Sequence, residues 1–277
     1  MSKPSKVWMI TGASSGFGHA LADEVIARGD RLIAAARGTA ALEALVARAP
    51  DRVAALQLDV TRGEDITAGV AAARERFGDI DVLVNNAGYS MIGALEETSD
   101  VELRTLMETM FFGPAALSRA VLPRMRERRT GTIVQITSTG GITTAAGFGA
   151  YCAAKHALEG LSECLAKEVA PFGVRVLIVE PGAFRTSLFG AAFRSLPALD
   201  AYATSVGPTR AYVESNAGTQ PGDPRKAARA IADAVAAGAP TLRLPLGSDA
   251  VALIRSKLGE IAADVTANER VATAQDF

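Results

Sequence analysis

The chain has 277 residues, 49% of them hydrophobic and 5% aromatic, with 29 basic and 30 acidic residues for a formal charge of -1. That length and apolar content allow one large α/β domain or two small ones and exclude a disordered chain, and the near-neutral charge leaves no footprint for nucleic acid or an anionic membrane. Met1–Lys6 is followed by no signal-length apolar stretch, no run approaches the ~20 apolar residues of a membrane span, and two cysteines (Cys152 and Cys164) cannot form a disulfide framework, which together suit a reducing cytoplasm.

Val7-Trp8-Met9-Ile10 is an unbroken apolar run, the pattern of a strand buried on both faces of a parallel sheet. Thr11-Gly12-Ala13-Ser14-Ser15-Gly16-Phe17-Gly18 follows it. Ala20 to Ala27 then has helical spacing, with Leu21 and Val25 one turn apart and Gly29 past the end. The glycines thus stand between a buried strand and a helix N-terminus, where unpaired N–H groups and the helix dipole suit a pyrophosphate. Gly12 serves the tight turn; Gly16 and Gly18, lacking a Cβ, are expected to let backbone and ligand approach closely. Three glycines alone fit an ordinary flexible turn equally well, and the flanking strand and helix favour the dinucleotide reading.

Further strands are predicted over Arg31–Ala36, Val53–Leu58, Val82–Val84, Thr132–Thr137, Val174–Val179 and Thr241–Pro245, the last an edge strand because of its proline. Between them lie predicted helices over Thr39–Arg48, Glu64–Phe77 with Thr61 as its cap, one long helix over Asp100–Arg128, and Ala150–Ala170. This alternation implies right-handed crossovers and a doubly wound α/β fold: a mostly parallel seven-stranded sheet with helices on both faces. Arg124, Arg126, Arg128 and Arg129 crowd the end of the long helix, where cations complement the dipole; this outweighs a nucleic-acid patch. Residues 187–222 lose the period and read as a substrate lid. Asp223-Pro224 opens a helix to Ala237, and Ser248 opens a final helix to Leu258 within a C-terminal extension over 248–277. With no repeat or linker, residues 1–277 read as a single catalytic domain. His19 and His156 have no ligand partners at metal spacing, so no metal site is expected.

Tyr151-Cys152-Ala153-Ala154-Lys155 sets a phenol and an ammonium at i and i+4. A phenol with a pKa of about 10 must drop by about three units, or roughly 4 kcal/mol, to trade protons near neutrality. The Lys155 ammonium, with an oxidised nicotinamide, is expected to supply that. Ser138, at the end of the fifth strand, could hydrogen-bond a substrate oxygen.

Thr11-Gly12-x-x-x-Gly16-x-Gly18, Asn85-Asn86-Ala87-Gly88, Ser138, Tyr151-x-x-x-Lys155 and Pro181-Gly182 stand in the order and spacing of the short-chain dehydrogenases/reductases, which the chain resembles from about Val7 to Thr186. The resemblance implies a Rossmann fold, with Gly12, Ser14, Ser15, Gly16, Phe17 and Gly18 holding the cofactor diphosphate and adenosine ribose. It implies adenine contacts at Asp59 and Val60, and cofactor-flanking positions at Asn85, Ala87 and Gly88. Tyr151 matches the general acid/base, Lys155 the residue that lowers its pKa and holds the nicotinamide ribose, and Ser138 the carbonyl-orienting hydroxyl. Pro181, Gly182 and Thr186 match the segment against the nicotinamide carboxamide. One position departs: the family's relay asparagine is Met110, in Met110-Phe111-Phe112-Gly113. Either a backbone carbonyl and water keep the relay, or turnover is impaired and the protein is a cofactor-binding sensor or scaffold.

At the end of the second strand NAD-preferring relatives carry an acid; here Ala36 is followed by Arg37, whose guanidinium suits a 2′-phosphate, with His19 as a second donor. The expectation is therefore an NADP-dependent oxidoreductase, NAD being the lesser choice, moving a hydride between nicotinamide and a ketone or secondary alcohol. Tyr89, Met91, Ile92, Phe148, Phe184, Leu188 and Phe189 suggest a lipophilic substrate, although core packing accounts for about half of such residues. In the family the two long helices commonly pair between subunits, so a homodimer or homotetramer is expected.

Overall fold

The computed structural model describes residues 5–275; Met1–Pro4 and the last two residues of the expected 248–277 extension lie outside them. β1 (Val7–Thr11) runs into Gly12, whose φ of +67° a side chain would strain, and α1 (Gly16–Ala27) begins directly after the turn. β2 (Arg31–Ala36), α2 (Glu43–Arg48), β3 (Val53–Gln57) and α3 (Gly63–Phe77) complete the first half. β4 (Val82–Asn85), β5 (Ser90–Ile92), α4 (Asp100–Met107), α5 (Gly113–Arg128), β6 (Gly131–Ile136), α6 (Gly149–Val169) and β7 (Val174–Pro181) follow. The chain then forms β8 (Phe193–Ser195), α7 (Gly207–Asn216), α8 (Pro224–Ala236), β9 (Arg243–Leu246) and α9 (Ser248–Thr273).

Seven strands form one sheet in the order β3-β2-β1-β4-β6-β7-β9, and every neighbouring pair is parallel. The chain adds strands outward from β1 to β3, then returns to β4 on the other side of β1. That reversal opens a crevice at the carboxyl ends of β1 and β4. Side chains alternate between two apolar layers. Trp8, Ile10, Leu32, Ala34 and Val84 pack with α1 and α8; Val7, Met9, Ile33, Ala35 and Leu83 pack with α3, α5 and α6.

Several expectations change. The predicted long helix is two, α4 and α5, joined by a π turn over Glu108–Phe112. Pro114 has no N–H to give the Met110 carbonyl four residues back, so the ladder slips by one residue. Thr61 does not cap α3: its N–H and hydroxyl both donate to Asp59 Oδ1, at 2.9 and 2.8 Å, and Arg62 is the N-cap residue. At the end of the second helix Arg126 and Arg128 stand in the last turn as expected, and three of the four arginines also find partners: Arg124 meets Asp79 at 3.1 Å and also Glu127, Arg128 binds Asp81, and Arg129 donates to the Pro171 carbonyl at 2.8 Å. The final helix continues well past Leu258, to Thr273.

The 187–222 segment is ordered and tied to the chain after β4. β8 pairs with β5 in a separate two-stranded parallel sheet. Glu97 accepts from Leu199 N and Arg210 Nη2, both at 2.7 Å, and Tyr202 donates to Glu96 at 2.7 Å. Among the described residues no helix is long and apolar enough to cross a membrane.

Candidate active site

The crevice is built from the ends of β1 and β4, and two side chains fasten them together. Thr11 Oγ1 accepts the N–H groups of Asn86 at 3.0 Å and Ala87 at 3.1 Å, and donates to the Val84 carbonyl at 3.3 Å. Asn86 Nδ2 donates to the carbonyls of Thr11 at 2.9 Å and Gly12 at 3.3 Å. The glycine turn is thereby pinned to Ala87 and Gly88. A Cβ at Gly18 would lie 2.3 Å from Gly12 O and 2.5 Å from Asn86 Nδ2. Gly18 therefore serves the close approach of α1 to the strand ends, rather than ligand access as expected. Gly16 lies against Thr186, and Ser15 Oγ meets Ser187 Oγ at 3.3 Å. The Phe17 and Phe184 rings meet at 5.0 Å. The Ser15 side chain makes no cap bond to α1, which leaves the first-turn N–H groups for an anion, and Ser14 stands in the same turn.

Arg37 is exposed just beyond β2. Burial pushes the Asp59 carboxyl up, but the Thr61 hydrogen bonds and the nearby charges of Arg37 and Arg62 outweigh it and hold Asp59 below the usual range. His19 Nε2 faces Asp23 at 3.8 Å on its own helix. Val60 is buried, and its carbonyl sits where a Cβ at Gly113 would be, 2.7 Å away. The Asn85 side chain points into the core, with Nδ2 donating to Gln135 Oε1 at 3.0 Å and Ser118 Oγ at 3.2 Å. Only its backbone is left for the crevice.

Ser138, directly after β6, caps the Thr139–Gly141 turn by accepting from Gly140 N at 3.1 Å. α6 brings Tyr151 to it, and the phenol hydrogen-bonds with Ser138. Lys155 is buried one turn along, its Nζ donating to the Ile136 carbonyl at 2.8 Å and lying 5.8 Å from the centre of the Tyr151 ring. The three residues thus converge from the end of β6 and one face of α6. Their electrostatics differ from expectation. Burial pushes Tyr151 up to about 12, with the Ser138 hydrogen bond opposing it. Burial pushes Lys155 down to about 7, with the Glu159 charge opposing it. In the protein alone burial thus outweighs the Ser138 hydrogen bond at Tyr151 and the Glu159 charge at Lys155, before any charge from a bound nicotinamide acts on them.

Behind Lys155 lies an ionic cluster that sequence reasoning missed. Arg243 Nη1 reaches Glu159 Oε2 at 2.7 Å and also binds Glu180, while Nη2 binds Glu163. Glu159 is four residues after Lys155, a legible spacing; Arg243, on the edge strand, carried no signal. Pro181 ends β7, and a Cβ at Gly182 would strike Asp249 Oδ2 at 2.3 Å; the same oxygen accepts from Ala183 N at 2.7 Å. Thr186 Oγ1 accepts from Leu188 N at 3.3 Å. Met110 is buried beside Leu106 and Tyr151, and its Cε would lie 3.2 Å from a Cβ at Gly88.

Of the predicted substrate-side residues, Met91 and Ile92 are core packing within β5. Phe148 stands edge-on to Tyr151 with centroids 6.1 Å apart and stacks on Phe189 at 6.4 Å, and Phe189 meets Phe193 at 5.9 Å. Arg194 lies 4.7 Å over the Tyr89 ring. A row of aromatic rings therefore runs from the phenol into the 187–222 segment, and Phe193 is a member the sequence did not single out.

A parallel sheet with a glycine turn at its switch point, and a serine, tyrosine and lysine converging beside it, defines a dinucleotide-dependent oxidoreductase scaffold. The short chain dehydrogenase family model matches residues 6–196, and the chain belongs to that family. It is 36% identical over 248 residues to an oxidoreductase of Botryotinia fuckeliana, covering 89% of this chain and 90% of that one. A crystal structure of a short-chain dehydrogenase from Streptomyces avermitilis superposes with a TM-score of 0.94 at 53% identity, over 99% of this chain and all of that one. A short chain dehydrogenase/reductase from Burkholderia phymatum in complex with NAD superposes with a TM-score of 0.83 at 25% identity, over 94% and 95%.

Proposed function

We propose that the protein is an NADP-dependent oxidoreductase acting between a lipophilic ketone and the corresponding secondary alcohol. The observation that carries this reading is the convergence of Ser138, Tyr151 and Lys155 beside the uncapped N-terminus of α1. The residues fit a nicotinamide dinucleotide: the Gly12 turn and first-turn N–H groups suit its diphosphate, and Arg37 supplies a cation where a 2′-phosphate would lie. When bound, the cofactor supplies or accepts the hydride, and its oxidised form brings a positive charge. Ser138 orients the substrate oxygen. Tyr151 gives that oxygen its proton in reduction and takes it back in oxidation. Lys155 holds the ribose and, through its charge, the phenol. Phe148, Phe189 and Phe193 line the approach with apolar surface, which favours a lipophilic carbonyl. The partner is thus a small molecule, and the subunits associate as the family's long helices suggest. Among the described residues no group of three metal-ligating side chains is present.

The test follows NADPH consumption over a panel of lipophilic ketones. Tyr151→Phe is expected to cut kcat by about 100-fold or more with NADPH binding kept. Arg37→Asp is expected to raise KM for NADPH by about tenfold or more and leave KM for NADH unchanged or lower. Tight NADPH binding without turnover of any carbonyl would overturn the reading in favour of a sensor.

A further inference from the structure

The start of α9 packs beside β9 and the Thr139–Gly141 turn, with Ala250 buried and Val251 and Ile254 half-buried. From Leu258 to the end of the helix every residue is exposed. That exposed length is not polar. Leu258 is 57% exposed, Ile261 47% and Val265 64%. With Val251, Ile254, Asn268 and Ala272 they recur at alternating steps of three and four residues, the spacing of a coiled-coil seam. The seam begins on the protein's own body and continues past it, where no other described segment lies against it.

The chemistry of the helix selects its cover. An anionic membrane surface calls for a basic polar face, and α9 carries three basic residues against four acidic ones. A second α9 fits, and the charges beside the seam select its direction. In a parallel pair, Asp264 would face Glu269 of the partner subunit, twice, as like charges. In an antiparallel pair, Leu258 opposes the partner's Ile261 and Val265 opposes the partner's Ile254. Lys257 then meets the partner's Asp264 twice, and no like charges face each other. We propose that α9 pairs antiparallel with α9 of a second copy in this register, as an interface separate from the α4–α6 face. Residues 259–275 are all exposed, and the ion pair that deletion of 259–277 removes, Lys257–Glu260 at 3.2 Å, lies within α9 itself.

The test measures mass in solution by light scattering after size exclusion. The full chain is compared with the 259–277 deletion and with full-length Ile261→Asp. Both variants are expected to halve the mass of the assembly while NADPH turnover stays unchanged, the melting temperature falling only by what the lost association supplied. Asp264→Lys is expected to raise the dissociation constant by about tenfold, and Lys257→Glu/Asp264→Lys to restore it. A mass unchanged by deletion, or tighter association in Asp264→Lys, which a parallel pair would give, overturns the proposal.

Discussion

Arg243 reaches from the edge strand β9 to Glu159 on α6 at 2.7 Å, and the same guanidinium binds Glu180 at the end of β7. Both carboxylates are almost fully buried, at 5% and 2% side-chain exposure. One cation thus holds α6, which carries Tyr151 and Lys155, to the strand that leads into Pro181-Gly182. Arg243→Met leaves two buried carboxylates without that partner and is expected to lower stability by about 3 kcal/mol or more at pH 8. Burial already raises Glu159 and Glu180, and Arg243 opposes the rise. Without it both carboxyls take protons more readily in the folded state than in the unfolded chain. The deficit therefore shrinks as pH falls toward 5. Urea unfolding at the two pH values checks this.

Lys155→Met separates stability from catalysis. Burial holds the Lys155 ammonium at about 7 against an ordinary 10.5. Between those values the unfolded chain keeps a proton that the folded protein has lost, so wild-type stability rises with pH across that window. The substituted thioether carries no such proton. The variant is expected to be more stable than wild type by about 1–3 kcal/mol at pH 7 and below, with the advantage gone near pH 10. Turnover is expected to fall by about 100-fold at every pH.

Gly18→Ala tests the packing role of the last glycine. Its Cβ would sit 2.3 Å from Gly12 O, so α1 must move away from the strand ends. A loss of about 1–3 kcal/mol is expected, with weaker NADPH binding. Gly63→Ala, where a Cβ meets nothing within 4 Å, is the control and is expected to leave both unchanged or slightly raise stability.

Met110→Asn restores the family's usual residue in a site shaped for a thioether. Met110 is 2% exposed and packs with Leu106 and Tyr151. Burying an amide there is expected to cost about 1–3 kcal/mol in thermal unfolding while kcat is kept or raised. A large fall in kcat would instead give Met110 a part in packing the substrate.

The inner strands β1, β2, β4, β6 and β7 were legible because they are buried on both faces and read as apolar runs, while the edge strands β3 and β9 are partly exposed and were found from the alternation with helices and, for β9, its proline. The site was legible where its parts lie close in sequence, as in Thr11–Gly18 and Tyr151–Lys155. The break in the long helix was missed although it has a local mark: Pro114, inside the helical run, has no N–H for the Met110 carbonyl four residues earlier. β5 was too short for a period of two to show. Arg243 was hidden because its partners lie 84 and 63 residues away. The depth at which Tyr151 and Lys155 are buried was not legible, because spacing reveals proximity but not burial, and burial raises the phenol and lowers the ammonium in the protein alone.

The pairing of β5 with β8 limits how residues 187–222 can move. Ser90 N donates to Ala192 O at 2.9 Å, and Leu196 N donates to Ile92 O at 3.0 Å. Residues 187–222 are therefore laced by backbone bonds to the segment that leaves β4, and Glu97 adds a second tie through Leu199 N and Arg210 Nη2, both at 2.7 Å. A swing of the whole segment would have to break all of these at once, so rearrangement there falls to side chains such as Phe189, turning within a frame that stays put.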